Sequence, residues 1–455
     1  MHVRRASLCA FLITALLAPG SLTAQTAGRD SVPGQWRIHH GDYAGTRFSP
    51  LDQIDAASVQ RLTTAWTWIP DSTGTPEFRN ASTPLMVDGV LYFTTGATRA
   101  VVAADAATGA TLWTWRLDEG ERARVAPRRN SGRGVAWWSD GQESRIFVVT
   151  PGFQLVALDA RSGTPIATFG RDGIVDLKTQ LGVLVDVETA AIGSSSPPLV
   201  FEDLVVVGPA LEVGLRPPSK RNVPGRILAL DARTGALRWR FNTIPQPGEV
   251  GNETWLDGSW EYTGNAGAWA PLSLDARRGW LYLPVEAATG DYYGGHRPGD
   301  NLFSTSLLCL DVRTGARIWH QQIVHHDIWD YDNPTSPILA DIVVDGRPVE
   351  AVVQLTKQAF TYVYDRVTGA PVWPIVERPV PPSDVPGERP SPTQPIPTKP
   401  APYDRQGVTI DDLIDFTPAL RAEAIEAVRP FRLGALFAPA SLRDARDGTR
   451  GTISL

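Results

Sequence analysis

Apolar residues in this chain come in short runs broken by tight polar pairs. Residues 84–93 (PLMVDGVLYF) and 198–207 (PLVFEDLVVV) each read as two short strands joined by a turn. A second pattern recurs five times: an apolar pair, Asp, three residues, Gly and, in four copies, Trp four residues on. Its anchors are Asp105, Gly109 and Trp113; Asp159 and Gly163; Asp231, Gly235 and Trp239; Asp311, Gly315 and Trp319; and Asp365, Gly369 and Trp373. Each copy predicts a hairpin. A strand ends at Asp, whose carboxylate caps the turn amides, and Gly takes the positive φ before the next strand begins.

Successive repeat Asp residues stand 54, 72, 80 and 54 positions apart. Each interval holds one four-stranded sheet plus loops, the size of a propeller blade. A β-sandwich with coincident turns is the alternative, and five copies weigh against it. The expectation is an all-β chain of four-stranded antiparallel blades. Residues 377–402 are Pro-rich and cannot hold central strands. A short helix follows, with Thr417 as N-cap, Pro418 in its first turn and Pro430 as its stop. Residues 377–432 therefore read as an excursion from the sheets.

Composition narrows the function. Of 455 residues 42% are apolar, enough for a core. With 43 Lys+Arg against 49 Asp+Glu the net charge is −6, so there is no electrostatic case for nucleic acid. Two cysteines, Cys9 and Cys309, cannot form a disulfide framework. Residues 1–24 read as a signal peptide: Arg4 and Arg5, an apolar stretch from Leu8 to Leu17, and a small-residue cleavage site ending at Ala24. An uncleaved anchor is the alternative. No later apolar run is long enough to span a bilayer, so residues 25–455 are expected to be the exported propeller.

The opening Trp36…Gly41-Asp42-Tyr43-Ala44-Gly45-Thr46-Arg47-Phe48-Ser49-Pro50-Leu51, with the Asp–Gly–Trp repeats, resembles the quinoprotein dehydrogenases. These are eight-bladed propeller enzymes that hold pyrroloquinoline quinone (PQQ) and Ca²⁺. Residues 290–301 (GDYYGGHRPGDN) are similar to the soluble glucose-dehydrogenase-like branch. The resemblance implies periplasmic oxidation of an alcohol or sugar hydroxyl, with electrons passed to an external acceptor, a cytochrome c or a quinone. No C-x-x-C-H haem motif is present.

The resemblance also nominates residues. Asp327, in 325–332 (HHDIWDYD), matches the catalytic base and a metal ligand; a turn-capping carboxylate and a His-His-Asp metal site are its alternatives. Glu212, after an apolar strand, matches a Ca²⁺ ligand or is an exposed loop acid. Trp269 matches the indole on which PQQ stacks, Arg133 and Ser194 cofactor contacts, and Lys357 the cation at the quinone oxygens. The register among Ser194, Ser195 and Ser196 stays open. Lanthanide-dependent relatives carry an Asp two residues after the base; counted from Asp327 that place is Trp329, which favours Ca²⁺. Three places depart from the pattern. Pro127 and Arg128 replace a pair of cysteines, Ala81 replaces a Glu, and Ala287 stands near the second metal ligand. The chain stops in what reads as mid-strand, so an incomplete propeller of about six blades is expected. The rival function is a non-catalytic propeller that scaffolds envelope-protein assembly.

Overall fold

The computed structural model describes residues 33–70, 80–211, 217 and 219–453. The signal-peptide region and Glu212 lie outside the described residues. Five antiparallel sheets follow one another along the chain, their strands hydrogen-bonded in chain order. The first is Leu85–Val87, Val90–Thr95, Ala100–Asp105 and Thr111–Trp115, and the second Ala136–Ser139, Ser144–Val149, Gln154–Asp159 and Ile174–Asp176. The third is Leu199–Phe201, Leu204–Val207, Ile227–Asp231 and Leu237–Phe241, and the fourth Ser273–Asp275, Trp280–Pro284, Ser306–Asp311 and Arg317–Gln322. The fifth has three strands, Ile338–Val344, Arg347–Leu355 and Thr361–Asp365.

The apolar runs are continuous because both faces of the inner sheets are buried. In the second sheet Ile146, Val148, Val156 and Leu158 face the first sheet, while Phe147, Val149, Leu155 and Ala157 face the third. In the fourth, Leu281, Leu283, Leu308 and Leu310 face the third, while Tyr282, Leu307 and Cys309 face the fifth. The core is thus a series of layers between neighbouring sheets. The first strands share a common inner edge. One N-terminal segment crosses them, with Trp36 paired to Met86, the Tyr43 carbonyl accepting from the Leu274 amide, and the Ala44 carbonyl from the Leu339 amide.

The repeat turns behave as the pattern predicts. The Asp311 carboxylate accepts from the amides of Arg313 and Thr314 at 3.0 and 2.9 Å. Gly369 has φ +72°, and a Cβ there would stand 2.7 Å from the Trp319 indole of the preceding sheet. That indole donates through Nε1 to the Arg366 carbonyl at 3.1 Å. Trp113 and Trp239 donate in the same way to Ala160 and Val312, at 3.1 and 2.8 Å. The copy without Trp, at Asp159, is followed by Phe169 and Val175, and these take the indole's place against Gly235.

Two expectations change. Instead of about six blades, the described residues form four four-stranded sheets and one of three strands. After Gly369, Pro371 makes a single bridge to Tyr364, and Ile375–Pro379 pairs with Thr393–Pro397 instead. Prolines at 371 and 374 offer no amide for a fourth strand. The helix stands at Pro418–Val428, and the Thr417 hydroxyl accepts from the Leu420 amide at 3.2 Å.

Candidate active site

The first strands are entered from one end, and the segments leading into them carry the chemistry. Arg133 precedes the first strand of the second sheet, Ser196 that of the third, Trp269 that of the fourth, and Asp330 and Asp332 that of the fifth. Lys357 sits in the turn between the last two strands of the fifth sheet. The fold brings these residues into one chain of contacts. The Arg133 guanidinium lies 5.2 Å from the Trp269 ring centroid and donates to the Trp269 carbonyl at 3.2 Å. The Ser196 hydroxyl donates to the same carbonyl at 2.6 Å. At the indole's other side, Nε1 donates to Asp332 Oδ2 at 3.1 Å. Lys357 Nζ stands 3.2 Å from carboxylate oxygens of both Asp330 and Asp332 and donates to the Asp330 carbonyl at 2.7 Å.

Asp327 does not join this chain of contacts. Its carboxylate is fully buried and accepts from the Trp329 and Tyr331 amides, both at 2.9 Å, and from the Thr305 hydroxyl at 2.8 Å. Its carbonyl accepts from the buried Arg297. This is the turn-capping alternative, realised in the interior. Burial raises its pKa, and the hydrogen bonds from Trp329 and Thr305 work against that rise. The His-His-Asp metal alternative does not form either. His325 turns to Gln322 and Glu377, whereas His326 turns to the Gly299 carbonyl.

Ser194 is also drawn away, its buried hydroxyl donating to the Ser196 and Gly208 carbonyls, both at 3.1 Å. Ser196 is the serine beside Arg133 and Trp269.

The Asp330 side is electrostatically crowded. Burial, then the neighbouring Asp332, pushes the Asp330 carboxyl up to about 8, although Lys357 pulls it down. Burial works to lower the Lys357 ammonium, but Asp332 and Asp330 outweigh it and raise its pKa. Glu286, next to Ala287, is buried and accepts from the Gly267 amide at 2.9 Å. Burial, then Asp332, holds it well above the usual carboxylate range. One wall therefore carries more acid than Lys357 balances, which suits a hard cation. Among the described residues, however, no three His, Cys, Asp or Glu side chains form a ready-made metal cluster.

The sequence reading passed over Asp330, Asp332, Glu286 and Ser196. Glu286 carries the same mark that singled out Glu212, an acid directly after an apolar strand. Asp330 and Asp332 alternate along the chain with the buried aromatics Trp329 and Tyr331.

The family described as PQQ glucose/ethanol/alcohol dehydrogenase, β-propeller domain, matches residues 36–454. The chain belongs to that family. It is 30% identical over 396 residues to the quinoprotein glucose dehydrogenase of Escherichia coli K12, a match covering 82% of this chain and 48% of that protein. Among solved structures it resembles the quinohemoprotein alcohol dehydrogenase of Comamonas testosteroni, with TM-score 0.65, 28% identity, and 81% of this chain and 52% of that one covered. A europium-containing methanol dehydrogenase matches with TM-score 0.62 and 27% identity, over 80% of this chain and 62% of that one. The chain thus spans about half the length of the curated relative. As a PQQ-family site the geometry is coherent, with a flat indole, a guanidinium on its face, and two carboxylates and an ammonium at its edge. No helix of the described residues is long and apolar enough to cross a membrane.

Proposed function

We propose that this protein oxidises an alcohol or sugar hydroxyl with PQQ and a hard cation at the place where Trp269, Asp330, Asp332 and Lys357 meet. The observation that carries this reading is the Lys357 ammonium, held 3.2 Å from each of two carboxylates, one of which accepts from the Trp269 indole. These groups come from three separate stretches of the chain and meet at one point. A scaffold has no use for two crowded acids beside an exposed cation, and that favours the enzyme over the assembly-scaffold alternative.

PQQ when bound supplies the two-electron acceptor, and the cation polarises its reacting carbonyl. The chain's own residues do the rest. Asp330 is the base that takes the hydroxyl proton, in place of Asp327, whose oxygens are committed to backbone amides. Lys357 holds Asp330 and Asp332 in place and balances their charge. Trp269 offers one face for a flat ring, with Arg133 and Ser196 fixing the indole's backbone. Electrons then leave to a separate acceptor, a cytochrome c or a quinone. We place the protein in the periplasm, from the signal pattern in residues 1–24.

Ca²⁺ is the first reading of the cation. Counted from Asp330, the residue two places on is Asp332, an acid. That favours a second reading, a trivalent lanthanide, in line with the europium-containing relative. The test adds PQQ with CaCl₂ or LaCl₃ and screens alcohols and sugars with a dye acceptor. Turnover dependent on PQQ and on one of the two ions is the expected result. No turnover with either ion, or turnover unchanged in Asp330→Asn, sinks the reading.

A further inference from the structure

The arginines near Trp269 have their own imbalance. Arg47, Arg99 and Arg128 each lie within electrostatic reach of Arg133, which sits over the Trp269 ring, and none of the four forms an ion pair among the described residues. Arg99 is buried and spends its donors on carbonyls. It donates to Asn130 at 3.2 Å and to Val149, Ser194 and Arg128 at 2.8 Å each. It thereby fixes the backbone at Arg128 and at the serine turn. A Cβ on Gly132 would stand 2.7 Å from Arg99 Nε, so this loop closes tightly on the arginine.

The Arg128 side chain differs from that of Arg99. It is half-buried, and its Nε is buried without a hydrogen-bond partner. It lies within electrostatic reach of both Arg133 and Glu286. No ion pair joins Arg128 to Glu286, whose carboxylate accepts from the Gly267 amide at 2.9 Å. Arg133 feels Arg128 and Arg47 as like charges. Clustered guanidinium groups without counter-ions are stable together only when an anion shares them.

We infer that Arg128 is a carboxylate-binding residue that holds an acidic group of the bound quinone beside Arg133. The inference deepens the PQQ reading and rests on it. Arg47, exposed and positive in φ at the rim, adds to the same field. The carboxylate could instead belong to a hydroxy-acid substrate, so the experiment separates the two sources.

PQQ and its trimethyl ester are titrated into the full-length metal-loaded protein by tryptophan fluorescence, using wild type, Arg128→Gln and Arg128→Lys. Arg128→Gln should weaken PQQ binding by about tenfold to a hundredfold, with the Lys variant recovering part of the loss. The ester, whose carboxyl groups carry no charge, should bind wild type and Arg128→Gln alike. Equal PQQ affinity in wild type and Arg128→Gln overturns the inference and leaves the PQQ reading standing. Equal PQQ affinity with a raised KM for a hydroxycarboxylate overturns it too, and assigns the guanidinium to substrate. Failure of the wild type to bind PQQ at all removes the underlying reading instead. Matching thermal unfolding of the three proteins excludes a loss of fold as the cause.

Discussion

The acids of the repeat turns and the acids of the loop before the fifth sheet are the same chemical group under opposite regimes. Asp231 ends a strand, and its carboxylate accepts from the amides of Arg233 and Thr234 at 3.0 and 2.8 Å. Burial pushes its pKa up, and those hydrogen bonds overcome the push, so it is lowered. Asp330 is half-buried beside a second acid, and burial, then Asp332, pushes its pKa up to about 8. The first arrangement stabilises the fold and leaves the carboxylate inert. The second sets two acids against one ammonium, the kind of electrostatically perturbed cluster found at functional sites. Asp327 belongs to neither region cleanly. It sits in the site's loop but caps amides two and four residues ahead, as a turn acid does.

The largest expected effect tests that division directly. Asp330→Asn should lower kcat by about 10²- to 10⁴-fold, the range for loss of a general base. The fold should stay intact, because Asp330 caps no amide. Asp327→Asn should do the reverse. Its new NH₂ group would face an amide donor, costing about 2 kcal/mol of stability, while kcat per folded molecule stays within about tenfold. Steady-state rates with the dye assay, normalised to folded protein by urea titration, separate the two. If Asp327→Asn is the dead enzyme and Asp330→Asn the merely weakened fold, the comparison is reversed.

That distinction was not legible from the residue order. Three acids fall within 327–332, and backbone conformation decides which of them reaches Lys357. His326 and Asp330 both take positive φ, 46° and 59°, without being glycine, so nothing in their identity announces the turn. The repeat was legible because its physics is local: an acid, a glycine and an indole at fixed spacing define both the turn and its docking to the next sheet. Trp269, Arg133 and Lys357 could be named from the resemblance, and the structure brings them together. Ser196 was hidden by a three-serine run, and Asp332 by counting two places from Asp327 rather than from Asp330. The missing fourth strand of the fifth sheet was in view at Pro371 and Pro374, but the interval arithmetic counts residues and is blind to missing amides.

A mid-sized effect sharpens the structural half. Gly369→Ala places a Cβ 2.7 Å from the Trp319 ring at a backbone φ of 72°. Strain and overpacking together should cost about 2 to 4 kcal/mol in urea unfolding. Catalytic constants per folded molecule should not move, because this turn is remote from the Lys357 contacts. A change in kcat as large as the change in stability would mean that the turns and the site are not separable regions.

The smallest effect concerns pH. A carboxylate whose folded pKa is lowered stabilises the native state above the unfolded pKa. It loses that contribution as pH falls through the folded value. Asp231 is such a group, so Asp231→Ala should cost about 1 kcal/mol near neutrality. The gap between wild type and variant should shrink as pH is taken from about 5 to about 2. Its neighbour Arg238, 3.3 Å away, remains charged throughout and does not alter the sign. The measurement is urea unfolding of both proteins across that range. A gap that stays constant down to the lowest pH would show that the Asp231 side chain acts through turn geometry rather than charge. The contrast with the site acids would then rest on burial alone.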